Sequence, residues 1–333
     1  MITHLDWRPI LQESTLCLSG GRKSAMQPRL LFLFLDGVGI GSDDPTNNPL
    51  ASAHMPNLMA LLEGHRLVGN AIPTHTARAT LLALDANLGV PGTPQSATGQ
   101  ATLLTGRNVA AEIGYHYGPK PDPSIAQVLR SGTIFHTLSR LAKRVVFLNA
   151  YPPAYFAAIE SGRRLHSAVP MAALSAGLQL MTASDLNAGR ALAADFTGQG
   201  WRDRLNLTQT PTLTAFEAGI RLAQLCTQHD FAFFEYWLTD YAGHGREMNQ
   251  ACTLLGTLDL MLGGLLAEWD DAEGLILITS DHGNLEDLSV RGHTSNPVPI
   301  LVVGASPLRD QFVTGLVDIS DIAPAVQRLL ALP

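Results

Sequence analysis

Five short, nearly continuous apolar runs punctuate this chain: LLFLFL (30–35), VVFL (145–148), FAFFEYWL (231–238), LILIT (275–279) and PILVV (299–303). Runs of this length are typical of strands that are buried on both faces, as in parallel sheets. Segments with helical periodicity lie between them, at 55–64, 133–144, 212–226, 248–269 and 321–332. The alternation predicts an α/β fold in which a mostly parallel central sheet is flanked by helices.

Residues 151–213 interrupt this rhythm. They contain Pro152-Pro153, many small residues and one helix-like patch, SDLNAGRALAADF (184–196), but no strand as clear as the five runs. We predict that this segment is a small inserted cap over the C-terminal edge of the sheet, and that 28–150 and 214–333 form the core. Residues 1–27 show no convincing periodicity, and we expect them to be a mobile or dispensable tail.

Composition narrows the classes of function. The 333 residues are 46% hydrophobic and 15% charged, which allows a substantial core. A net charge of −7 without basic stripes argues against a nucleic-acid partner. The three scattered cysteines favour a reducing compartment, and no apolar run reaches the roughly 18 residues that span a membrane. We therefore expect a cytoplasmic protein that has no membrane partner.

Acids and imidazoles follow the predicted strands at the points where they end. Ligands of open α/β sheets bind beyond these carboxyl ends, so the side chains are expected to share one rim. Three carboxylates and three imidazoles are placed in this way: Asp36, Asp240, His244, Asp281, His282 and His293.

Six such side chains exceed the needs of one tetrahedral metal ion. They suit two ions about 4 Å apart, an arrangement that recurs in phosphoryl transfer. Mixed oxygen and nitrogen ligands favour zinc or manganese, and the sequence does not choose between them. Each motif taken alone also fits a polar loop or a helix cap, so the prediction depends on the joint pattern.

A candidate nucleophile lies in PQSATGQATLLTGR (94–107). Ser96 precedes a run of small residues that indicates the start of a helix, where free backbone N–H groups favour an anion. A metal-bound serine at this position could attack phosphorus. An ordinary N-cap serine is the alternative interpretation, and Thr98 is the second candidate nucleophile.

The motifs LFLDGVG, PQSATGQATLLTG, TDYAGHG, TSDHGNLED and GHTSNPVPI occur in this order along the chain. In this order they resemble the alkaline phosphatase superfamily, nearest its cofactor-independent phosphoglycerate mutase and phosphopentomutase branch. The resemblance implies an alkaline phosphatase-like fold, with Ser96 in the position of the phosphorylated residue. It further implies two divalent metal ions, one held by Asp36, Ser96, Asp281 and His282, the other by Asp240, His244 and His293.

The chain also departs from the mutase pattern. It is much shorter in the cap, and Gln100 stands where the mutase motif carries histidine. The Arg-rich substrate motif of the mutases has only a faint counterpart in WRDRL, with Arg202 and Arg204. Together with Arg107, these two residues are the candidate substrate-binding arginines.

These observations predict a two-metal-dependent phosphoryl-transfer enzyme that acts on a small phosphorylated metabolite through a phosphoserine. A phosphohydrolase is the favoured form because the cap looks too small for the anion-gripping residues of a mutase. An intramolecular phosphomutase is the first alternative. A non-catalytic relative that binds metal or ligand is the second.

Overall fold

The computed structural model describes residues 28–331, so the predicted tail (1–27) lies outside the described residues. A seven-stranded sheet and a separate two-stranded sheet organise this part of the chain. Its strands are β1 (Arg29–Leu35), β2 (Thr74–His75), β3 (Ala79–Leu84), β4 (Val145–Phe147), β5 (Ala150–Tyr151), β6 (Met181–Thr182), β7 (Phe231–Tyr236), β8 (Gly274–Thr279) and β9 (Val298–Val303).

The large sheet has the strand order β2-β3-β9-β8-β1-β7-β4. The pairs β8–β1, β1–β7 and β7–β4 are parallel, whereas β2–β3, β3–β9 and β9–β8 are antiparallel. The predicted α/β class is confirmed, and the sheet is mixed. The connection 280–297 contains no crossover helix, so β9 returns antiparallel to β8. Strand β3 is not among the predicted strands, because its ATLLAL run is interrupted by a threonine.

Helices cover both faces of the large sheet. They are α1 (Pro49–Ser52), α2 (Pro56–Leu61), α3 (Ser96–Thr105), α4 (Val109–Ile113), α5 (Pro123–Ser131), α6 (Ile134–Arg140), α7 (Pro153–Glu160), α8 (Ala168–Ser175), α9 (Ala183–Asn187), α10 (Gln199–Leu205), α11 (Ala215–Cys226), α12 (Leu238–Gly245), α13 (Met248–Glu268), α14 (Ser306–Val313) and α15 (Ile322–Leu330). The five predicted helical segments coincide with α2, α6, α11, α13 and α15.

Strand β1 shows why its sequence is apolar at every position. Leu30, Phe32 and Phe34 enter one core cluster, which also receives side chains from α3, α5 and α15. The alternate side chains of β1 enter a second cluster, on the opposite face, with α11 and α13. A strand that is buried on both faces has no polar side to present, as the parallel part of the sheet requires.

Among the described residues, α13 is the one helix long and apolar enough to cross a membrane by these two criteria. Half of its most apolar window is buried within the protein. It packs directly on α11, where a Cβ atom at Gly219 or Gly264 would collide with the backbone of the facing helix. In this structure α13 is therefore an element of the second core cluster.

The segment 151–213, which is predicted to be an inserted cap and is called the inserted segment below, packs into both large core clusters. Helix α8 places Val169 and its neighbours in the first core cluster. Phe196 stacks on Tyr236 of β7 with ring centroids 4.3 Å apart, in the second cluster. Trp201 belongs to a small third cluster with Leu186. The segment therefore shares its apolar contacts with the sheet and does not rest on the core as a detached lid.

Candidate metal centre

The carboxyl ends of β1, β7 and β8 carry the predicted acids to one place. These three strands are neighbours and run parallel, with β1 in the middle. Asp36 follows β1 directly, Asp281 lies two residues after β8, and Asp240 lies in the first turn of α12, which continues from β7. The sheet register therefore brings together side chains that are more than 200 residues apart in sequence.

His282 lies at the centre of the first group. Its Nε2 atom is 3.5 Å from Asp36 Oδ1 and 3.6 Å from Asp281 Oδ2. The same atom is 3.1 Å from Ser96 Oγ. The imidazole is completely buried, and Ser96 is nearly so. The predicted nucleophile thus faces the acids and the imidazole that were expected to surround it.

Asp240 lies at the centre of the second group. Its Oδ2 atom is 3.4 Å from His244 Nε2, and its Oδ1 atom is 3.7 Å from His293 Nε2. The i, i+4 spacing on α12 places His244 on the same helix face as Asp240. His293 stacks on His282 with ring centroids 3.7 Å apart, so the two groups are contiguous.

Two sets of side chains have the geometry of metal sites, because their ligand atoms all lie within 4.8 Å of one another. One set is Asp240, His244 and His293, which is the predicted second site. The other is Asp36, Asp240 and His282, so Asp240 is common to both sets. We refer to Asp36, Asp240, His244, Asp281, His282 and His293 together as the acid–imidazole rim.

Neighbouring groups fix the orientation of the rim. His293 Nδ1 donates to the carbonyl oxygen of Pro94 (2.9 Å), which can only accept, so Nε2 keeps the lone pair that faces Asp240. The Asn284 side chain donates to Asp240 Oδ1 at 2.6 Å. Gln100, which replaces the histidine of the mutase motif, donates to Asp36 Oδ2 at 3.4 Å.

Two glycines allow the elements of the rim to approach one another. Gly37 has φ +68°, and a Cβ atom there would lie 2.6 Å from Asp240 Oδ1. A Cβ atom on Gly99 would lie 2.8 Å from the carbonyl oxygen of Asp281. These positions explain the glycines of the LFLDGVG and SATGQ motifs, where any side chain would push α3 or β1 away from the acids.

The electrostatics of the rim are those of a site that needs cations. Burial, followed by the charges of Asp281 and Asp240, raises the pKa of Asp36 well above its usual value. Burial and Asp240 raise the pKa of Asp281 to about 8. Burial, followed by the charge of His293, lowers the pKa of His282. All three shifts disfavour the charged forms of these groups when no metal ion is bound.

The hydrogen bonding of the rim fits the same conclusion. Asp36 Oδ1 and Asp281 Oδ2 are buried and accept no hydrogen bond. Buried carboxylate oxygens without a partner are costly, and a divalent cation would satisfy both. The donor set of carboxylate oxygens and imidazole nitrogens fits zinc or manganese.

Thr98, the second candidate nucleophile, has a different environment from Ser96. Its hydroxyl donates to the carbonyl oxygens of Gln95 (3.1 Å) and Tyr117 (3.3 Å), and it accepts from Tyr117 N at 3.2 Å. Its backbone N–H also donates to Tyr117 O at 3.0 Å. Thr98 therefore ties the loop around Tyr117 to the start of α3.

The structure does not bring the three predicted arginines to the rim. Arg107 follows α3 at the end opposite Ser96, and its guanidinium pairs with Glu112. A helix of this length spans roughly 15 Å. Arg202 Nε donates to the carbonyl oxygen of Thr210 at 2.7 Å, which is a contact inside the inserted segment. Arg204 lies one residue before the end of α10, and its side chain is exposed.

The sequence analysis gave no role to several residues that support the site. Asn284 lies within TSDHGNLED, but asparagine is common in turns. Its hydrogen bond to Asp240 could therefore not be predicted from the sequence. Glu286 is buried in the same motif and accepts from the backbone N–H groups of Gly39 and Asn284, both at 2.8 Å. An acid inside an otherwise assigned motif is the signal that could have identified Glu286.

Comparisons with known proteins agree with this geometry. Residues 207–333 match the family model described as "Metalloenzyme superfamily". The chain is 35% identical over 114 residues to the 2,3-bisphosphoglycerate-independent phosphoglycerate mutase of Rhodopseudomonas palustris, covering 32% of this chain and 21% of that protein. It is 28% identical over 129 residues to the enzyme of the same name from Desulforudis audaxviator, covering 37% and 25%. The match thus spans about a fifth to a quarter of these relatives.

Solved structures share the fold over nearly the whole chain. The PH0037 protein from Pyrococcus horikoshii superimposes with a TM-score of 0.56 at 18% identity, covering 92% of this chain and 97% of that one. A mutant alkaline phosphatase from the Antarctic bacterium TAB5 superimposes with a TM-score of 0.55 at 11% identity, covering 93% and 99%. The resemblance predicted from the motifs is confirmed: residues 207–333 match the metalloenzyme superfamily model, and nearly the whole chain has an alkaline phosphatase-like fold.

Proposed function

We propose that this protein is a two-metal-dependent phosphohydrolase that acts on a small phosphorylated metabolite through a phosphoserine on Ser96. The observation that carries the proposal is the 3.1 Å contact between Ser96 Oγ and His282 Nε2, inside a cluster of buried acids and imidazoles. A cytoplasmic location and the absence of nucleic-acid and membrane partners belong to the same proposal.

The rim divides into two proposed metal sites. Asp36, Asp281 and His282, with Ser96, would hold one divalent ion. Asp240, His244 and His293 would hold the other, with Asp240 close enough to contribute to both. Bound cations would neutralise the charge of the transferred phosphoryl group and favour the ionised Ser96 hydroxyl.

The chain's own nucleophile performs the transfer. Ser96 Oγ forms a bond to phosphorus while the bond between phosphorus and the leaving oxygen breaks, and the hydroxyl proton leaves to solvent. Water then attacks the phosphoserine, which releases phosphate and restores the hydroxyl. Ser96 is the first residue of α3. This position supports its role, because the free N–H groups at a helix N-terminus favour the negative charge of phosphate.

The access of water to the rim favours a phosphohydrolase over a phosphomutase. The His244 side chain is 50% exposed, so the rim opens to solvent on the side of α12. The inserted segment shares its apolar contacts with the core, which makes it a poor closing lid. The names of the curated relatives favour a phosphomutase as the second candidate, although the matches span only about a fifth to a quarter of those proteins.

The test is a screen of phosphorylated metabolites on the metal-loaded protein and on its Ser96→Ala variant. Ser52→Ala, at an exposed serine that ends α1, is the control. We expect metal-dependent phosphate release that falls by about 10³-fold or more in Ser96→Ala, since removing a nucleophile costs several kcal/mol. Acid quenching with labelled substrate should trap phosphate on Ser96. Turnover at the parent rate in Ser96→Ala would overturn the assignment.

The same screen separates the alternatives. Label trapped on Ser96 with an isomerised product and no phosphate release would indicate a mutase. About two metal ions per chain, with neither label nor turnover on a broad panel, would indicate the non-catalytic relative.

A further inference from the structure

We propose that Lys120 and Arg164 form a subsite that faces the rim and binds a second anionic group of the substrate. The proposal rests on the proposed function, and it places substrate selection at residues other than Arg107, Arg202 and Arg204. We call Lys120, Arg164, His166 and Tyr155 together the cationic wall.

The first step is the position of the loop that carries Lys120, which lies beside the nucleophile. The loop 115–120 is tied to α3 through the bonds between Thr98 and Tyr117. Gly118 packs so closely that a Cβ atom on it would lie 3.2 Å from the backbone nitrogen of Ser96. Lys120 follows two residues later and is half-buried, close enough for the charges of Asp36 and Glu235 to act on it.

The second step is the contribution of the inserted segment. Tyr155 is buried, and its hydroxyl lies 2.8 Å from His166 Nδ1. The Arg164 guanidinium lies over the Tyr155 ring, 5.0 Å from its centroid. Tyr155 also packs on Tyr151 with centroids 4.3 Å apart. The aromatic contacts hold Arg164 and His166 against the core, and the charge of Arg164 reaches Lys120.

The third step is the missing counter-charge. Within residues 28–331, neither Lys120 nor Arg164 forms an ion pair with a carboxylate, whereas Arg107, Arg144 and Arg190 each do. Glu235 on β7 is the nearby acid; it is buried, and its charge acts on Asp36, Lys120 and Tyr155. Asp36 also acts on Lys120, but neither acid forms an ion pair with Lys120 or Arg164, so both cations lack a direct counter-charge among the described residues.

These features together describe a site for an anion. Burial lowers the pKa of Lys120 first, and the charge of Arg164 lowers it further, so the two cations are held together at a cost. An acidic group bound between them would remove that cost. Because the phosphoryl group is expected at the rim, the wall would receive the other end of the substrate: a carboxylate or a second phosphate.

The test compares two aryl phosphates that differ in one acidic group. On the manganese-loaded protein, we expect 4-carboxyphenyl phosphate to be preferred over phenyl phosphate in kcat/KM. Lys120→Met and Arg164→Met should each reduce kcat/KM for the carboxylated probe by roughly 10- to 100-fold, the range of a lost charge-assisted hydrogen bond. Both variants should leave phenyl phosphate within about twofold.

Controls distinguish the lost charge from general damage. Arg163→Met makes the same change one residue away, at an exposed side chain that contacts Ser161, and should leave the preference intact. Lys120→Arg keeps the charge and should keep most of the preference. An equal loss on both aryl phosphates in Lys120→Met and Arg164→Met, or no preference in the parent protein, would overturn the proposal.

A binding measurement separates this proposal from the proposed function. Calorimetry with 3-phosphonopropionate and propylphosphonate compares two non-hydrolysable probes. They differ only in that the first has a terminal carboxylate where the second has a methyl group. Tighter binding of the first, lost in Lys120→Met and in Arg164→Met, supports the subsite even if no phosphoester is turned over. Equal binding of the two probes refutes the subsite even if phosphoesters are hydrolysed through Ser96.

Discussion

The acid–imidazole rim and the cationic wall lie near one another and are built in opposite ways. The rim comes from the ends of adjacent core strands, and most of its side chains are fully or largely buried. Hydrogen bonds hold it in place: Gln100 and Asn284 donate to rim carboxylates, and the Pro94 carbonyl oxygen accepts from His293. The wall comes from a loop and the inserted segment, and Arg164 is exposed.

This difference separates two tasks. Strand ends that are fixed by sheet register can hold ligands to the precision that metal ions require. A loop and an inserted segment tolerate change, so they suit the part of a site that distinguishes one substrate from another. The rim is therefore expected to set the chemistry and the wall to set the preference, and variants in the two regions should fail in different ways.

The largest effect is expected from Asp240→Asn in the rim. Asp240 belongs to both candidate ligand sets, so its loss weakens both metal sites together. Metal ions contribute several kcal/mol to phosphoryl transfer, so turnover of phenyl phosphate should fall by about 10³-fold or more. Metal analysis should show fewer than two ions per chain.

Asp43→Asn is the matched control for this change, because Asp43 is exposed and has only long contacts, with Arg66 at 3.8 Å and Asn70 at 3.3 Å. It should retain both ions and full turnover. If Asp240→Asn kept two ions and parent activity while Arg164→Met lost turnover on phenyl phosphate, the division between rim and wall would be reversed.

A second effect is the pH dependence of metal binding. In the metal-free fold the pKa of Asp281 is raised to about 8. The stability that this carboxyl contributes is therefore fully present below its pKa in the unfolded chain and is lost as the pH rises through about 8. Metal ions bind the carboxylate form and must displace this proton at lower pH. The dissociation constant for Mn²⁺ should therefore be weaker at pH 6 than at pH 8, on the order of 100-fold for one proton.

Calorimetry at the two pH values measures this directly, and thermal unfolding gives a second readout. The stability that Asp281 contributes to the metal-free protein should fall between pH 6 and pH 8, opposite in sign to the change from the buried His282, whereas the gain in stability on adding Mn²⁺ should grow. Arg164→Met in the wall should leave the pH dependence of Mn²⁺ binding unchanged. An affinity for Mn²⁺ that is the same at pH 6 and pH 8 would contradict the assigned carboxyl shift.

The sequence predicted the rim better than the wall for a physical reason. Asp36, Asp240 and the Asp281-His282 pair follow apolar strands, and parallel strands bring their carboxyl ends together whatever the loops do. The six rim residues could therefore be inferred from local patterns. The antiparallel course of β9 could not, because it depends on the absence of a crossover helix in 280–297.

The wall depends on contacts that leave no local pattern. The loop that carries Lys120 lies against the start of α3 because Thr98 binds Tyr117, and the Arg164 guanidinium lies over the Tyr155 ring. Neither contact has a fixed spacing in the sequence. Arginines in WRDRL looked more promising, yet Arg202 is engaged by Thr210. The number of charged residues in a sequence does not show which arginines and lysines lack a carboxylate partner. Only the three-dimensional structure shows which of them form ion pairs.

A smaller effect is expected from Asn284→Ala, which removes the 2.6 Å bond to Asp240 Oδ1 but no rim ligand. Loss of a hydrogen bond that orients a metal ligand typically weakens metal binding by about 10-fold or more. Activity should return at high Mn²⁺ concentration, unlike that of Asp240→Asn. Asn47→Ala, at a part-buried asparagine that bonds Asp44, is the control and should leave Mn²⁺ affinity unchanged.

The smallest effect, and the sharpest test of the boundary between the regions, is expected from Thr98→Val. The change keeps the shape of the side chain and removes the hydroxyl that binds Tyr117 and Gln95, at a cost of about 1 kcal/mol in unfolding free energy. Turnover of phenyl phosphate should stay within about twofold, because Ser96 and the rim are untouched. KM for 4-carboxyphenyl phosphate should rise a few-fold, because the loop that carries Lys120 is less firmly held.

Thr105→Val makes the same change at the other end of α3, where the hydroxyl donates to Ala101 O at 2.7 Å, and should leave both KM values unchanged. A loss of turnover on both probes by 100-fold or more in Thr98→Val would instead assign the nucleophile to Thr98 and remove Ser96 from that role. A rise in KM confined to the carboxylated probe can arise only if the wall, and not the rim, reads the second acidic group. Thr98 would then act on selectivity solely by positioning the loop that bears Lys120.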